Sequence, residues 1–194
     1  MVGFKAQNHP QQVAVRDALD PIDDRATPPE WFAELQSRFG FTLDAAAAAH
    51  NAKLPRYFTY EDNGLAQSWE GERVWCNPPF SNLSAWVKKA HDEAPHCPLI
   101  VMLLPANRCE QKWWHDYIEP YRDRAASLLR VEFIKGRKRF IGAGERNVKA
   151  NDRPPFGVCL VIWMHGAFSA VGANLLADGD SNAPPNAQEK GIEL

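Results

Sequence analysis

Surplus charge of either sign is missing from this chain. Its 22 Lys and Arg nearly balance 24 Asp and Glu, for a net charge of -2 with His neutral. Overall charge therefore announces no nucleic-acid binder, and any such surface has to be built locally. The cysteines, Cys76, Cys97, Cys109 and Cys159, form no CxxC pair and no regular framework, which excludes a disulfide scaffold and leaves them as reduced thiols. Zinc is no better served. His91, His96, Cys97, Cys109 and His115 match no common ligand spacing, so no metal is expected. No apolar run approaches the roughly 20 residues of a membrane helix. The first residues, with Lys5, Gln7, Asn8 and His9, lack the apolar stretch of a signal peptide. A cytoplasmic protein with no membrane partner is expected. Internal repeats are absent too.

What is present points to one globular body. Hydrophobic residues make up 45 % of the 194, with 7 Trp and 10 Phe, enough to build a core and too many for a disordered chain. Residues 1–20 are polar and unpatterned and read as a flexible arm. From Gly172 the chain turns to Asp178-Gly179-Asp180-Ser181-Asn182 and Pro184-Pro185, the composition of a disordered tail over 172–194. The folded domain is placed at 21–171, and the reading leans to a monomer.

Within that domain, Thr27 is expected to cap a helix with Pro28 in its first turn and Glu30 completing a capping box. Phe32, Leu35 and Phe39 share one face, Trp31 lies against Leu35, and Gly40 ends the helix. Phe41-Thr42-Leu43 reads as a strand ending at Asp44, and the alanines 45–49 as the start of a helix. Tyr57-Phe58-Thr59-Tyr60 is expected as a second strand, stopped by Glu61-Asp62-Asn63-Gly64. Arg73-Val74-Trp75-Cys76 is the third. Leu83, Trp86, Val87 and Ala90 then follow the spacing of an amphipathic helix with Lys88 and Lys89 outside. Pro98 to Leu104 is a continuous apolar run, as in a strand buried on both faces. Val131–Ile134 and Val158–Trp163 supply two more strands with no helix between them. The sum is an α/β three-layer fold around a mostly parallel sheet, with an antiparallel pair near the C-terminus.

The chemistry concentrates at Asn77-Pro78-Pro79-Phe80, at the end of the third strand. A Pro-Pro pair alone is an ordinary strand stop, and Pro28-Pro29, Pro154-Pro155 and Pro184-Pro185 repeat it elsewhere. The flanking Asn and Phe make this one different. An asparagine fixed at a strand end beside an aromatic ring suits gripping a flat base by its amino group. Asp44 and Asp62 sit at or near the ends of upstream strands, where open α/β sheets bind ligands. Each also has a plainer use, Asp44 as a helix cap and Asp62 in an Asp-Asn-Gly turn.

Taken together, the chain resembles the phage-type DNA N-6-adenine methyltransferases from about Thr27 to Trp163. The resemblance rests on Thr27-Pro28, Phe41-Thr42-Leu43-Asp44-Ala45-Ala46, Asn51-Ala52-Lys53, Asp62-Asn63-Gly64-Leu65, Trp75-Cys76-Asn77-Pro78-Pro79-Phe80, Met102-Leu103-Leu104-Pro105, and Gly136-Arg137 followed by Phe140. It implies a Rossmann-like methyltransferase fold, S-adenosylmethionine as cofactor, and adenine N6 in DNA as acceptor, in the cytoplasm of the host cell if the chain is phage-encoded. The chain departs from the general methyltransferase pattern in having Asp44-Ala45-Ala46-Ala47 where a glycine-rich turn is usual.

The resemblance assigns Asn77, Pro78, Pro79 and Phe80 to catalysis. Thr27, Pro28, Asp44, Ala45, Ala46 and Asp62 are assigned to the cofactor, with Asp62 facing either its ribose or its adenine. DNA contact is expected from a local basic cluster, Lys135, Arg137, Lys138, Arg139, Arg146, Lys149 and Arg153, against the acidic total. Trp113-Trp114 reads as core packing rather than a wedge between bases. Two other functions remain open: methylation of RNA adenine or protein glutamine, and a nucleic-acid-binding module that has lost the cofactor.

Overall fold

Four of five strands in the sheet point the same way, and their shared C-terminal edge is where the site lies. The computed structural model describes residues 23, 25–124, 128–142 and 154–165. Helix α1 (Pro29–Phe39) leads into β1 (Leu43–Asp44), and a long loop then reaches β2 (Arg73–Cys76). Helix α2 (Leu83–Glu93) returns the chain to β3 (Leu99–Pro105), and α3 (Lys112–Tyr117), β4 (Leu129–Phe133) and β5 (Val158–Met164) follow. The strand order is β1-β2-β3-β5-β4. The β1–β2 and β2–β3 pairs are parallel, whereas β5 runs antiparallel to both β3 and β4. Strand β5 alone is reversed, so β4 ends at the same edge as β1, β2 and β3.

The layers follow from strand alternation. Trp75, Leu99, Val101, Leu103, Leu160 and Ile162 face α1 and pack with its Trp31, Phe32, Leu35 and Phe39. Their neighbours Val74, Cys76, Ile100, Met102, Cys159 and Val161 face the other way, towards Leu83, Trp86, Val87 and Ala90 of α2 and Trp113 and Trp114 of α3. Three layers result. The β3 run is buried along its whole length, as its unbroken apolar sequence requires. The tryptophan pair of α3 lies in the core, with Trp113 Nε1 donating to Gln111 and Trp114 Nε1 to Glu119.

Helix α1 is tied at its C-terminus. Gly40 takes φ 59°, the left-handed stop that glycine adopts without a Cβ clash. The Arg73 guanidinium donates to the Phe39 and Gly40 carbonyls, which the helix leaves unpaired. A two-pronged ion pair from Arg38 to Glu132, at 2.7 and 2.5 Å, ties the helix to β4.

Four local expectations are corrected. The helix starts at Pro29 with Pro28 in the capping position and no side-chain cap, so the Thr27–Glu30 box does not form. The first strand is Leu43–Asp44 only. Residues 45–49 are loop rather than helix. Ala45 N–H continues the ladder to Trp75 O, Ala47 N–H goes to Phe58 O, and Ala48 N–H is taken by Asn51 Oδ1 at 2.7 Å. Five alanines are too few to nucleate a helix against such competition. Tyr57–Tyr60 contributes one isolated bridge, Asp44 to Tyr57, in place of a strand. The connection from β1 to β2 therefore contains no helix. The arm at 1–20 and the tail at 172–194 lie outside the described residues.

Candidate active site

Asp44 is one of two buried polar side chains among the described residues. Its backbone is clamped from both sides, paired with Trp75 in β2 and bonded through Asp44 N–H to Arg56 O and Phe58 N–H to Asp44 O, each 3.0 Å. Only 2 % of its surface is exposed. Oδ2 accepts from Lys53 N–H at 3.0 Å, and Oδ1 is buried with no hydrogen-bond partner among the described residues. Burial pushes this carboxyl up from 3.8 to about 6, against the opposing pull of the Lys53 and Ala46 backbone N–H groups and the Lys53 charge. Acidic side chains are rarely buried with an oxygen unsatisfied unless something else is meant to fill the gap.

The gap is a small polar pocket of about 30 Å³ at the C-terminal edge of β1 and β2, lined by Asp44, Asn77, Thr27, Ala46, Asn51 and Lys53, with Asp23, Arg25, Ala26 and Trp75 completing it. Thr27 Oγ1 is likewise buried without a partner. Of the residues assigned to the cofactor, the fold brings Thr27, Asp44 and Ala46 to this pocket. Pro28 and Ala45 are adjacent in sequence and not in its lining. Asp62 stands apart from the pocket lining, fully exposed, with Oδ2 accepting from Thr59 N–H and Oγ1 at 2.8 Å. Those hydrogen bonds pull its carboxyl below the ordinary value.

The Asn77-Pro78-Pro79-Phe80 box lies beside the pocket. Asn77 is half-buried and its Nδ2 donates to Arg25 O at 2.8 Å, while Ser81 N–H donates to Asp23 Oδ1 at 3.2 Å. Residues 23 and 25–27 thus strap the end of β2. The strap is held in turn by a bridge from Ala26 to Ile141, both hydrogen bonds 2.9 Å. Pro78 is buried and Pro79 half-buried, and a 3-10 turn (Phe80–Asn82) opens directly into α2. The Phe80 ring is half-buried and meets Phe156 at 6.0 Å, from a second Pro-Pro-Phe run, Pro154-Pro155-Phe156. Cys76, just before the box, is no nucleophile: burial and the Asp44 charge hold its thiol well above the ordinary value.

The basic cluster is partly described. Lys135 and Arg137 are exposed, Lys138 lies over the Trp31 ring at 5.1 Å, and Arg139 is half-buried. They follow β4 directly, so the strand direction delivers them to the same sheet edge as Asp44 and Asn77. Arg146, Lys149 and Arg153 lie outside the described residues. Among the described residues no three His, Cys, Asp or Glu side chains gather as a metal site, and no helix is long and apolar enough to cross a membrane.

Arg25, Asn51, Lys53 and Phe156 are the site residues that sequence reasoning left without a role. Lys53 and Asn51 had carried a family signal, and Phe156 a Pro-Pro-Phe echo of the box.

The polar crevice lies outside the carboxyl ends of the parallel strands of an open α/β sheet, which is where such sheets hold ligands. The DNA N-6-adenine-methyltransferase (Dam) family profile matches residues 17–173, and the chain belongs to that family. Over 131 residues it is 35 % identical to a DNA N-6-adenine-methyltransferase of Escherichia phage T1, covering 66 % of this chain and 50 % of that protein. Over 84 residues it is 36 % identical to a DNA N-6-adenine-methyltransferase of Haemophilus phage HP1 (strain HP1c1), covering 43 % of this chain and 48 % of that one. The chain spans about half the length of the curated relatives it matches.

Proposed function

We propose that this chain transfers a methyl group from S-adenosylmethionine to the N6 amino group of adenine in DNA, on a Rossmann-like methyltransferase fold. The observation that carries the reading is a single crevice holding both halves of the chemistry: the unpartnered oxygen of Asp44 and the side chain of Asn77. When bound, S-adenosylmethionine supplies an activated methyl and its own leaving group. Asp44, Thr27 and Ala46 fit such a ligand, because two of them offer buried oxygens with no hydrogen-bond partner among the described residues.

The protein positions and polarises. An adenine amino group is a poor nucleophile because its lone pair is delocalised into the ring. Acceptors aimed at its two hydrogens draw the nitrogen towards a tetrahedral shape. Asn77 Oδ1 and the Pro78 carbonyl are assigned that work. The Arg25 carbonyl occupies Nδ2 and so fixes which end of the Asn77 amide remains for the base. The prolines hold both oxygens in place before the base arrives. Phe80 stacks on the base, a contact worth about 1–3 kcal/mol. Orienting the two reactants in line is worth on the order of 7–11 kcal/mol. The extrahelical base that this requires costs a few kcal/mol in a duplex, offset by phosphate contacts from Lys135, Arg137, Lys138 and Arg139 at the same edge.

The test is transfer of tritiated methyl to DNA, RNA and protein pools, by wild type and by Asn77→Ala. Label in DNA adenine, lost in Asn77→Ala far beyond any weakening of S-adenosylhomocysteine binding that a loosened strap brings, is the expected outcome. Label confined to protein or RNA, or parallel loss of transfer and binding, would refute the assignment.

A further inference from the structure

Lys53 has been given no task so far, yet it stands in the pocket next to Asp44. Its backbone N–H holds Asp44 Oδ2, and its side chain is half-buried along the same wall. Burial pulls its ammonium below the ordinary lysine range and the Asp44 charge pushes back. Among the described residues no hydrogen bond or ion pair engages that ammonium. Asp44 Oδ1, its neighbour, is equally unmatched. The pocket therefore offers one cation and one anionic acceptor side by side, neither of them consumed by the other.

The complementary ligand group carries an ammonium and a carboxylate on one carbon, which is an α-amino acid. Size points the same way. The corner is narrow, about 30 Å³, and most of its lining side chains are polar or charged, which suits an amino-acid head group better than a nucleoside ring. Of the two other charged residues in the lining, Asp23 accepts from Ser81 N–H, and the Arg25 guanidinium is the rival cation that the test below separates.

We infer that Lys53 and Asp44 form a clamp for the amino-acid end of S-adenosylmethionine, with Lys53 Nζ taking the carboxylate and Asp44 Oδ1 the ammonium. The clamp rests on the methyltransferase reading and adds to it the orientation of the ligand: amino-acid end inward, adenosine outward.

Calorimetric titration of two probes separates the possibilities. S-Adenosylhomocysteine carries the amino-acid end and 5′-methylthioadenosine lacks it. Lys53→Gln should weaken the first by about 10- to 100-fold, the worth of one charge-assisted hydrogen bond, and change the second by less than about twofold. Lys53→Arg should recover part of the loss, which also guards against a misfolded Gln variant. Equal weakening of both probes, or a selective loss in Arg25→Gln with Lys53→Gln unaffected, would overturn the clamp and leave the methyltransferase reading intact. Failure of the wild-type protein to bind either probe would overturn the underlying reading and the clamp with it.

Discussion

Replacing Asp44 with asparagine should make the ligand-free protein more stable at neutral pH. The wild-type carboxyl is held at about 6 in the folded protein against 3.8 as its ordinary value, with burial as the main cause. A raised carboxyl means the folded chain binds a proton more tightly than the unfolded chain. Stability therefore falls as pH rises from below 4 through 6. The full penalty above pH 6 is roughly 3 kcal/mol, since each unit is worth about 1.4. Asparagine removes that charge and keeps an acceptor for Lys53 N–H, but it places two N–H donors where Oδ1 has no partner. Allowing about 1–2 kcal/mol for those donors, the net gain near pH 7.5 is about 1–2 kcal/mol, or about 2–8 °C in Tm. Near pH 4.5 the native carboxyl is protonated and the penalty has dropped to about 1 kcal/mol, so the advantage should vanish or reverse. Paired thermal melts of both proteins at the two pH values measure this directly. An Asp44→Asn protein that melts lower at both, or an advantage that does not shrink on acidification, would refute the claim that Asp44 is a buried charge awaiting a partner.

Other perturbations test the frame around it. Gly64→Ala would drive a Cβ into the carbonyl oxygen of Ala45 and within 3.1 Å of Trp86 Cη2, so a loss of about 1–3 kcal/mol is expected in denaturant unfolding, with weakened S-adenosylhomocysteine binding because Ala45 adjoins Asp44. Trp69→Ala removes a fully buried ring that stacks on Trp86 and donates to Gly64 O at 3.0 Å, which should cost about 3–5 kcal/mol. Lys135→Ala and Arg137→Ala should each lower the slope of log affinity against log salt by about 0.9 in DNA-binding titrations while leaving cofactor affinity unchanged. An unaltered slope would remove those residues from the DNA surface.

The readable parts of this fold are those in which burial repeats at a fixed period. Leu83, Trp86, Val87 and Ala90 announce α2 and are its buried face. The apolar run that ends at Leu104 is buried throughout, and the asparagine box falls where β2 stops. The strand-rich reading of β4 and β5 also survives, including their antiparallel pairing. What was misread lies between β1 and β2. Local propensity favours helix for the alanines and strand for Tyr57–Tyr60. Backbone hydrogen bonds hold both as loop instead: Ala47 N–H to Phe58 O between them, and Ala45 N–H to Trp75 O and Phe58 N–H to Asp44 O to the strands beside them. The same bonds carry Asn51 and Lys53 into the pocket, and no periodic pattern records them. The Thr27 capping box does not form because the helix starts one residue later, at Pro29, with Pro28 in the capping position, and Thr27 becomes part of the pocket lining.

The bond from Asn77 to the Arg25 carbonyl also fixes what residue 77 is free to become. The position has to give a hydrogen at one end of its planar tip and keep an oxygen at the other. Aspartate would set oxygen against oxygen across 2.8 Å and loosen the strap, serine is too short to reach both ways, and glutamine overshoots by a methylene. In this chain the amide is therefore selected from behind as well as from the front, and a swap that looks harmless to the base would be felt first by the backbone at Arg25.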